Sequence, residues 1–324
     1  MKSHASLPAG PFTRADLHAA GIAVDRLRSG RVRCITHGVH RRVGDAAGSW
    51  SALGYPEPPA PLAPEEVAAV VTAARGVASH VTALLLHKVP LPPWLVEDGR
   101  IHLSRPHGRG HSRRAVVTTH ARVVPAADVT EIHGMPVTAV ERTWADLAAL
   151  LLPGMVDPMV VAGDALVNPP WTPAGRLAPR TTPAQLRAAL DRAGRYKGVR
   201  AARAALDQVR IGVDSPQETA LRLALVHAGF PEPELQLRLH PDRPRTPDAD
   251  LGWRAWRLVL HYDGASHLDP EQQGVDAWRN DGWARSGWAQ IRVTVDDARD
   301  DFRRVIADVA AHRRRLGGML YAVD

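Results

Sequence analysis

The residues best suited to chemistry lie in the last third of the chain, on two segments whose patterns predict β-strands. Asp250 stands at the start of one predicted strand, and the next, RLVLHYDGASH, reaches Asp263 with His267 just beyond it. Metal-dependent hydrolysis of a phosphodiester needs hard oxygen ligands that converge on Mg²⁺ from adjacent strand ends. Because a short hairpin brings the start of the first strand near the end of the second, Asp250 and Asp263 are candidate metal ligands.

A predicted helix just before these strands carries a third carboxylate. The segment SPQETALRLALVHAGF has Ser215 as its N-cap, Pro216 in its first turn and Glu218 in the place that completes a capping box. Glu218 can reach the site from the side, although its capping role alone accounts for its position. From Ser215 onward the predicted order is helix, three strands, helix, strand, helix.

The same residues resemble a known family. DLGW, RLVLHYDGASH, Asp276, Arg279 and GWAQIRVT follow one another as in the very-short-patch-repair-like endonuclease domain of the PD-(D/E)XK superfamily. The resemblance covers about residues 215–316. It implies that Asp250 and Asp263 bind Mg²⁺ or Mn²⁺, that Glu218 supports them, and that His267 acts as a general base or orients the attacking water.

One position departs from this family, which usually has Glu two residues before the Asp-Gly pair. Here His261 stands there, and imidazole is a poor ligand for Mg²⁺ but can bind a softer metal such as Mn²⁺ or Zn²⁺. Two hypotheses therefore stay open. The first is a metal-dependent DNA endonuclease. The second is an antitoxin-like transcriptional regulator whose nuclease fold has lost catalysis and binds DNA or a protein partner. The candidate catalytic residues are Glu218, Asp250, His261, Asp263 and His267.

The beginning of the chain is rich in arginine. TRADLHAAGIAVDRLRS predicts two short helices, with Thr13 as the N-cap of the first, and GRVRCITHGVHRRVG predicts a two-stranded wing. These residues resemble the winged helix of AbiEi-type antitoxins, and SHVTALLLHKVPLP, IHLSRP and GMPVTAVERTWADLA resemble the domain that follows in that family. The resemblance implies DNA as a partner and a cognate toxin as a further one. The expected DNA contacts are Arg26, Arg28, Arg31, Arg33, Arg41 and Arg42.

The predicted fold class is α/β (α+β) with several domains. We expect a winged helix at 1–50, an antitoxin-like α/β domain at 60–165, a linker and helical connector at 166–212, and a nuclease-fold domain with a mixed central sheet at 213–318. Pro- and Gly-rich stretches at 46–64 and 167–183 mark the linkers.

Composition sets outer limits on function. The 324 residues include 41 Lys and Arg against 34 Asp and Glu, a net charge of +7, which favours a polyanionic partner. The single cysteine, Cys34, excludes an internal disulfide and a multi-cysteine zinc site. No secretory leader pattern or membrane-length apolar run is visible, so we expect a cytoplasmic protein with no membrane partner. A homodimer stays open as an alternative to a monomer.

Overall fold

A computed structural model describes residues 7–45, 62–92, 95, 99–106, 116–152, 154–172, 175–263 and 270–320, without the side chains of 171, 270–277 and 318–320. Two compact units are present. The N-terminal unit comprises Met1–Ala162 with Thr181–Asp207, and the C-terminal unit comprises Gly163–Arg180 with Gln208–Asp324. Within the described part, no helix has the length and apolar character needed to cross a bilayer. The predicted α/β class is confirmed.

The N-terminal unit opens with a small antiparallel sheet of order β1-β3-β2. Thr13 caps its helix, as predicted, because its hydroxyl accepts the Asp16 N–H while the Asp16 carboxylate accepts the Thr13 N–H. The two predicted helices are one α-helix and one 3-10 helix. The elements are β1 (Pro11–Phe12), α1 (Arg14–Ala19), a 3-10 helix (Val24–Arg28), β2 (Val32–Thr36) and β3 (Val39–Arg42).

A second sheet, of order β6-β5-β4-β8-β7, forms the body of this unit. Strands β4 and β8 are parallel, as are β5 and β6, and the other neighbours are antiparallel. The elements are α2 (Pro64–Ala73), β4 (Val77–Ala78), α3 (His80–Leu86), β5 (Ile101–Arg105), β6 (Val117–Ala121), a 3-10 helix (Ala126–Asp128), β7 (Val129–Ile132), β8 (Met135–Thr138) and α4 (Val140–Leu147).

The hairpin β2–β3 and this second sheet share one hydrophobic core. Val39 of β3 packs in the same buried cluster as Val67 and Val70 of α2, Leu103 of β5 and Val137 of β8. The described residues of the segments predicted as 1–50 and 60–165 therefore lie in one compact unit as far as Ala162. The predicted connector at 166–212 is divided, since Thr181–Asp207 belongs to the N-terminal unit and the residues on either side belong to the C-terminal unit.

Charged groups reinforce the junction between β3 and α2. The Glu66 carboxylate, 1% exposed, accepts a 2.9 Å bond from Arg41, itself 4% exposed, and a 2.8 Å bond from the more exposed Arg33. Glu65, at 36% exposure, binds the other end of the Arg41 guanidinium at 2.9 Å. Burial strengthens a pair of this kind and makes the loss of either partner costly.

After α5 (Asp157–Val167), the chain forms β9 (Trp171–Thr172) and β10 (Gly175–Arg176), then α6 (Pro183–Ala193) and α7 (Val199–Leu206). The main sheet of the C-terminal unit has the order β11-β12-β13-β14. It is antiparallel except for the parallel pair β13–β14. The predicted succession of elements is confirmed as far as the last strand, and two helices stand where one closing helix was predicted. The elements are α8 (Pro216–His227), β11 (Glu234–Arg238), β12 (Asp248–Trp253), a 3-10 helix (Arg254–Trp256), β13 (Leu258–Asp263), α9 (Pro270–Arg285), β14 (Ala289–Thr294), α10 (Val295–Arg299) and α11 (Arg303–Leu320).

Helices cover both faces of this sheet. Leu221 of α8 and Val305 of α11 pack with Leu260 on one face, and Trp283 of α9 packs with Val259 on the other. Gly282 lets α9 approach the sheet closely, because a Cβ there would overlap the ring of Pro247. The alternation of side chains along β13 therefore points His261 and Asp263, like Val259, towards the side of α9.

Replacing Glu66 by Gln should destabilise the N-terminal unit by about 3 kcal/mol, because it leaves the buried Arg41 guanidinium without its buried counter-charge. The matched change Glu65→Gln should cost less than about 1 kcal/mol, because that pair reaches solvent. Urea unfolding followed by circular dichroism measures both. Equal effects would show that burial of the pair is unimportant.

Candidate functional site

The candidate site lies where β12 and β13 separate. Their backbone ladder pairs Trp253 with Leu258, Gly252 with Val259 and Leu251 with Leu260. At the next residue of β12, Asp250, the side-chain carboxylate accepts the backbone N–H of Tyr262 at 2.6 Å. The carboxylate thus takes a position that a backbone carbonyl fills in a continuous ladder, and it is fixed in the opening between the strands.

Glu218 approaches this opening from the first turn of α8. Ser215 caps that helix as predicted, accepting the Glu218 N–H at 3.2 Å and donating its hydroxyl to the Glu218 carboxylate at 2.9 Å. The other carboxylate oxygen accepts the Asp214 N–H at 3.0 Å. The capping role is therefore real, and it also fixes the orientation of the carboxylate.

The charge of Asp250 acts on the carboxyl group of Glu218. Burial, and next the charge of Asp250, raise the pKa of Glu218 to about 7. Burial likewise raises the pKa of Asp250 to about 6, against the opposing effects of the Tyr262 N–H and of Arg279. Among the described residues neither group forms an ion pair. A cation would relieve this buried negative charge.

Asp263 and His261 lie at the C-terminal end of β13. The Asp263 carboxylate forms a 2.7 Å ion pair with Arg292 of β14, and Arg292 is the register partner of His261. Across the opening, Arg279 of α9 pairs with Asp248 at 2.9 Å. Two guanidinium groups thus border the site. His267, the predicted water-positioning residue, and the Asp276 side chain lie outside the described residues.

The donor set fits a hard cation held with few protein ligands. The described residues contain no group of three or more His, Cys, Asp or Glu side chains arranged as a metal site. Mg²⁺ is commonly bound through one or two carboxylates together with water and substrate phosphate oxygens. The half-buried Asp250 and the buried Glu218, neither with an ion-pair partner among the described residues, meet that smaller requirement.

The arginines predicted to contact DNA fall into different environments. Arg28 and Arg31 are exposed, and Arg26 is half-buried. Arg33 is exposed but binds Glu66, and Arg42 binds Asp45 at 2.9 Å. Arg41 is buried in its pair with Glu65 and Glu66, which commits its guanidinium to the interior. The basic surface therefore depends most on Arg28 and Arg31.

The N-terminal unit contains a histidine cluster that was not predicted from the sequence. The ring of His80 stacks on that of His120 with centroids 3.4 Å apart, and His120 Nε2 lies 3.1 Å from His102 Nδ1. His80 Nδ1 also contacts the Ser79 hydroxyl at 2.9 Å. The cluster joins α3, β5 and β6, so only the pairing of these strands brings it together. The one signal in the sequence was that two segments with strand-like patterns each contain a histidine, His102 and His120.

Comparison with known proteins gives limited matches. The uncharacterized protein MT2308 of Mycobacterium tuberculosis (strain CDC 1551 / Oshkosh) and the uncharacterized protein Rv2248 of Mycobacterium tuberculosis (strain ATCC 25618 / H37Rv) are each 31% identical to this chain over 125 residues. The match covers 38% of this chain and 46% of each relative, so the chain spans about half the length of the curated relatives it matches. No family model and no solved structure matches the chain.

The histidine cluster should make the N-terminal unit sensitive to acid. Burial, followed by the charges of His102 and Arg122, lowers the pKa of His120 to about 4, and burial lowers that of His80 well below its usual value. Below pH 6.5 the unfolded state binds more protons, so stability is lost as the pH falls from about 6.5 towards 4. His120→Gln should reduce this dependence by about one proton in urea unfolding measured at pH 5, 6 and 7.

The exposed His37 provides the control for this measurement. His37→Gln removes a histidine that lies outside the cluster, so it should not reproduce the effect of His120→Gln. If the two variants behave alike, the contacts of His120 do not control its protonation.

Proposed function

We propose that the C-terminal unit is a metal-dependent DNA endonuclease domain of the PD-(D/E)XK kind. The observation that carries the proposal is the position of Asp250, whose carboxylate accepts the Tyr262 N–H at the opening between β12 and β13. Its charge also helps to raise the pKa of the buried Glu218. The element order α8, three strands, α9, β14 supports it. The net charge of +7 supports a nucleic-acid substrate.

In this proposal each side chain has a separate role in binding the cation, the water or the phosphate. Asp250 and Glu218 provide the anionic oxygens that bind the cation, and Asp263 adds a third carboxylate from the end of β13. A bound divalent cation would supply Lewis-acid activation of the phosphate and of a water molecule. His267 is proposed to orient or deprotonate that water, and Arg279, fixed by Asp248, adds positive charge beside Asp250.

The first test is cleavage of supercoiled, linear and mismatched DNA in Mg²⁺ or Mn²⁺. Asp250→Asn should reduce the rate at least a hundredfold, because the substitution removes the charge fixed in the opening. The exposed loop residue Asp242 supplies the control, since Asp242→Asn should cleave like the wild type. Cleavage that survives Asp250→Asn would refute the proposal. No cleavage by the wild type, with activity gained in His261→Glu, would identify a decayed site.

The pH dependence offers an independent test without a substrate. Because the pKa values of Asp250 and Glu218 are raised, the folded state loses stability as the pH rises from their unfolded values near 4 through about 6 and 7. Mn²⁺ should restore that loss, so the increase in Tm caused by Mn²⁺ should be larger at pH 8 than at pH 5.5. Asp250→Asn should abolish this difference. A pH-independent effect of Mn²⁺ would place its binding elsewhere.

A second candidate function is DNA binding by the N-terminal unit as an antitoxin-like regulator. The exposed Arg28 and Arg31, beside a short helix and a hairpin, favour it. The double variant Arg28→Gln/Arg31→Gln should weaken DNA binding and reduce the slope of log K against log salt by about two. Fluorescence anisotropy from about 50 to about 200 mM salt measures the slope. An unchanged slope would exclude these arginines as phosphate contacts.

A further inference from the structure

Two arginines border the candidate site, and they differ in how far their side chains are exposed to solvent. Arg279 is half-buried on α9 and is tied to Asp248 at 2.9 Å. Arg292 projects from β14 with 72% of its side chain exposed, and its guanidinium contacts Asp263 at 2.7 Å. A phosphate arriving from solvent can therefore reach Arg292 with little displacement of the fold. Arg also has the planar, two-pronged donor geometry that suits a phosphate.

Asp263, the ion-pair partner of Arg292, could instead serve as a ligand of a cation. Asp263 is 27% exposed and lies on the same strand end as Tyr262, whose N–H binds Asp250. If Asp263 serves as a ligand of a divalent cation, its negative charge is shared and its attraction for Arg292 decreases. The ion pair with Arg292 and ligation of a cation thus compete for one carboxylate.

We propose that Arg292 is the phosphate-contacting side chain of this site, and that Asp263 binds it in the metal-free protein and releases it towards DNA when Asp263 ligates a divalent cation. The inference rests on the proposed nuclease function and adds a regulatory step to it. It makes the cation and DNA bind cooperatively. Because coupling between two ligands is reciprocal, DNA must also strengthen cation binding by the same factor.

The backbone supports this assignment of Arg292. Its strand is parallel to β13, with Arg292 the register partner of His261 and Thr294 that of Asp263. The Arg292 carbonyl also accepts a 2.8 Å bond from Arg304 of α11. The Cα position is therefore fixed by the sheet and by a helix, while the exposed side chain can change partners. That combination suits a group that exchanges a carboxylate for a phosphate.

The test measures DNA binding by the full-length protein in EDTA and in Ca²⁺, which takes the same oxygen ligands. With wild type, Ca²⁺ should tighten binding of a short duplex about fivefold or more. In Arg292→Gln, affinity in EDTA should stay within about twofold of wild type, whereas the gain from Ca²⁺ should largely disappear. Arg292→Lys should recover part of the gain, since it keeps the charge without the paired donors.

Two further arms make the result specific. Arg299→Gln is the matched control, because Arg299 is equally exposed (74%) and binds a nearby aspartate, Asp296, at 2.7 Å; it should behave like wild type. Titration with Mn²⁺ in the absence of DNA should show tighter binding to Arg292→Gln than to wild type, because Asp263 no longer has to leave an arginine. DNA contacts of the N-terminal unit do not affect these comparisons, since each is a difference with and without cation.

The inference is overturned if Arg292→Gln keeps the full Ca²⁺ effect, if it loses affinity equally in EDTA and Ca²⁺, or if Ca²⁺ has no effect on wild type. The proposed nuclease function is judged separately by cleavage and by the dependence of Mn²⁺ binding on Asp250. Mn²⁺ binding that requires Asp250, together with unchanged coupling in Arg292→Gln, would reject the role of Arg292 alone. Absence of Mn²⁺ binding to both proteins would reject both proposals.

Discussion

The bond from the Tyr262 N–H to the Asp250 carboxylate is the interaction on which the candidate site of the C-terminal unit depends. It ends the backbone ladder between β12 and β13 with a side chain, and it fixes a charged oxygen in the opening. The bond favours the ionised carboxylate, but burial outweighs it, so the pKa of Asp250 rises to about 6. A purely structural buried carboxylate is normally matched by a cation. Asp164 shows this in the same unit, where it accepts a 2.9 Å bond from the buried Arg222.

The parts of the C-terminal unit that the sequence predicted are those specified by residues close together in the chain. The Ser215 cap, the alternation in Trp256–Tyr262 and the turns between them depend on neighbours within a few residues, and they specified the order of helices and strands. The role of Asp250 as a ladder acceptor and the pair between Asp263 and Arg292 depend on strand pairing between distant segments. Such pairings have no local signature, so the candidate residues could be named but their partners could not.

In the N-terminal unit, counting arginines overestimated the surface available to DNA. Arg41 falls on the inward side of β3, where Glu66 of α2 neutralises it, whereas Arg28 and Arg31 stay exposed. Glu66, the partner of Arg41, lies on α2, which follows the stretch predicted as a linker. A charged residue on a strand can serve either face, and only the packing of the hairpin on α2 decides between them.

The histidine at position 261 and the pairing of Arg292 are linked through the register of β13 and β14. A carboxylate at 261, the residue common in the resembling family, would lie beside Arg292 in the parallel register and compete with Asp263 for it. An imidazole carries no negative charge and offers no such competition for Arg292, which binds Asp263 at 2.7 Å. With His261 the site carries one negative charge fewer than it would with glutamate there, and Arg292 neutralises the charge of Asp263. The negative charge that remains at the opening is that of Asp250 and Glu218, which is why any cation chemistry here must depend on those two groups first.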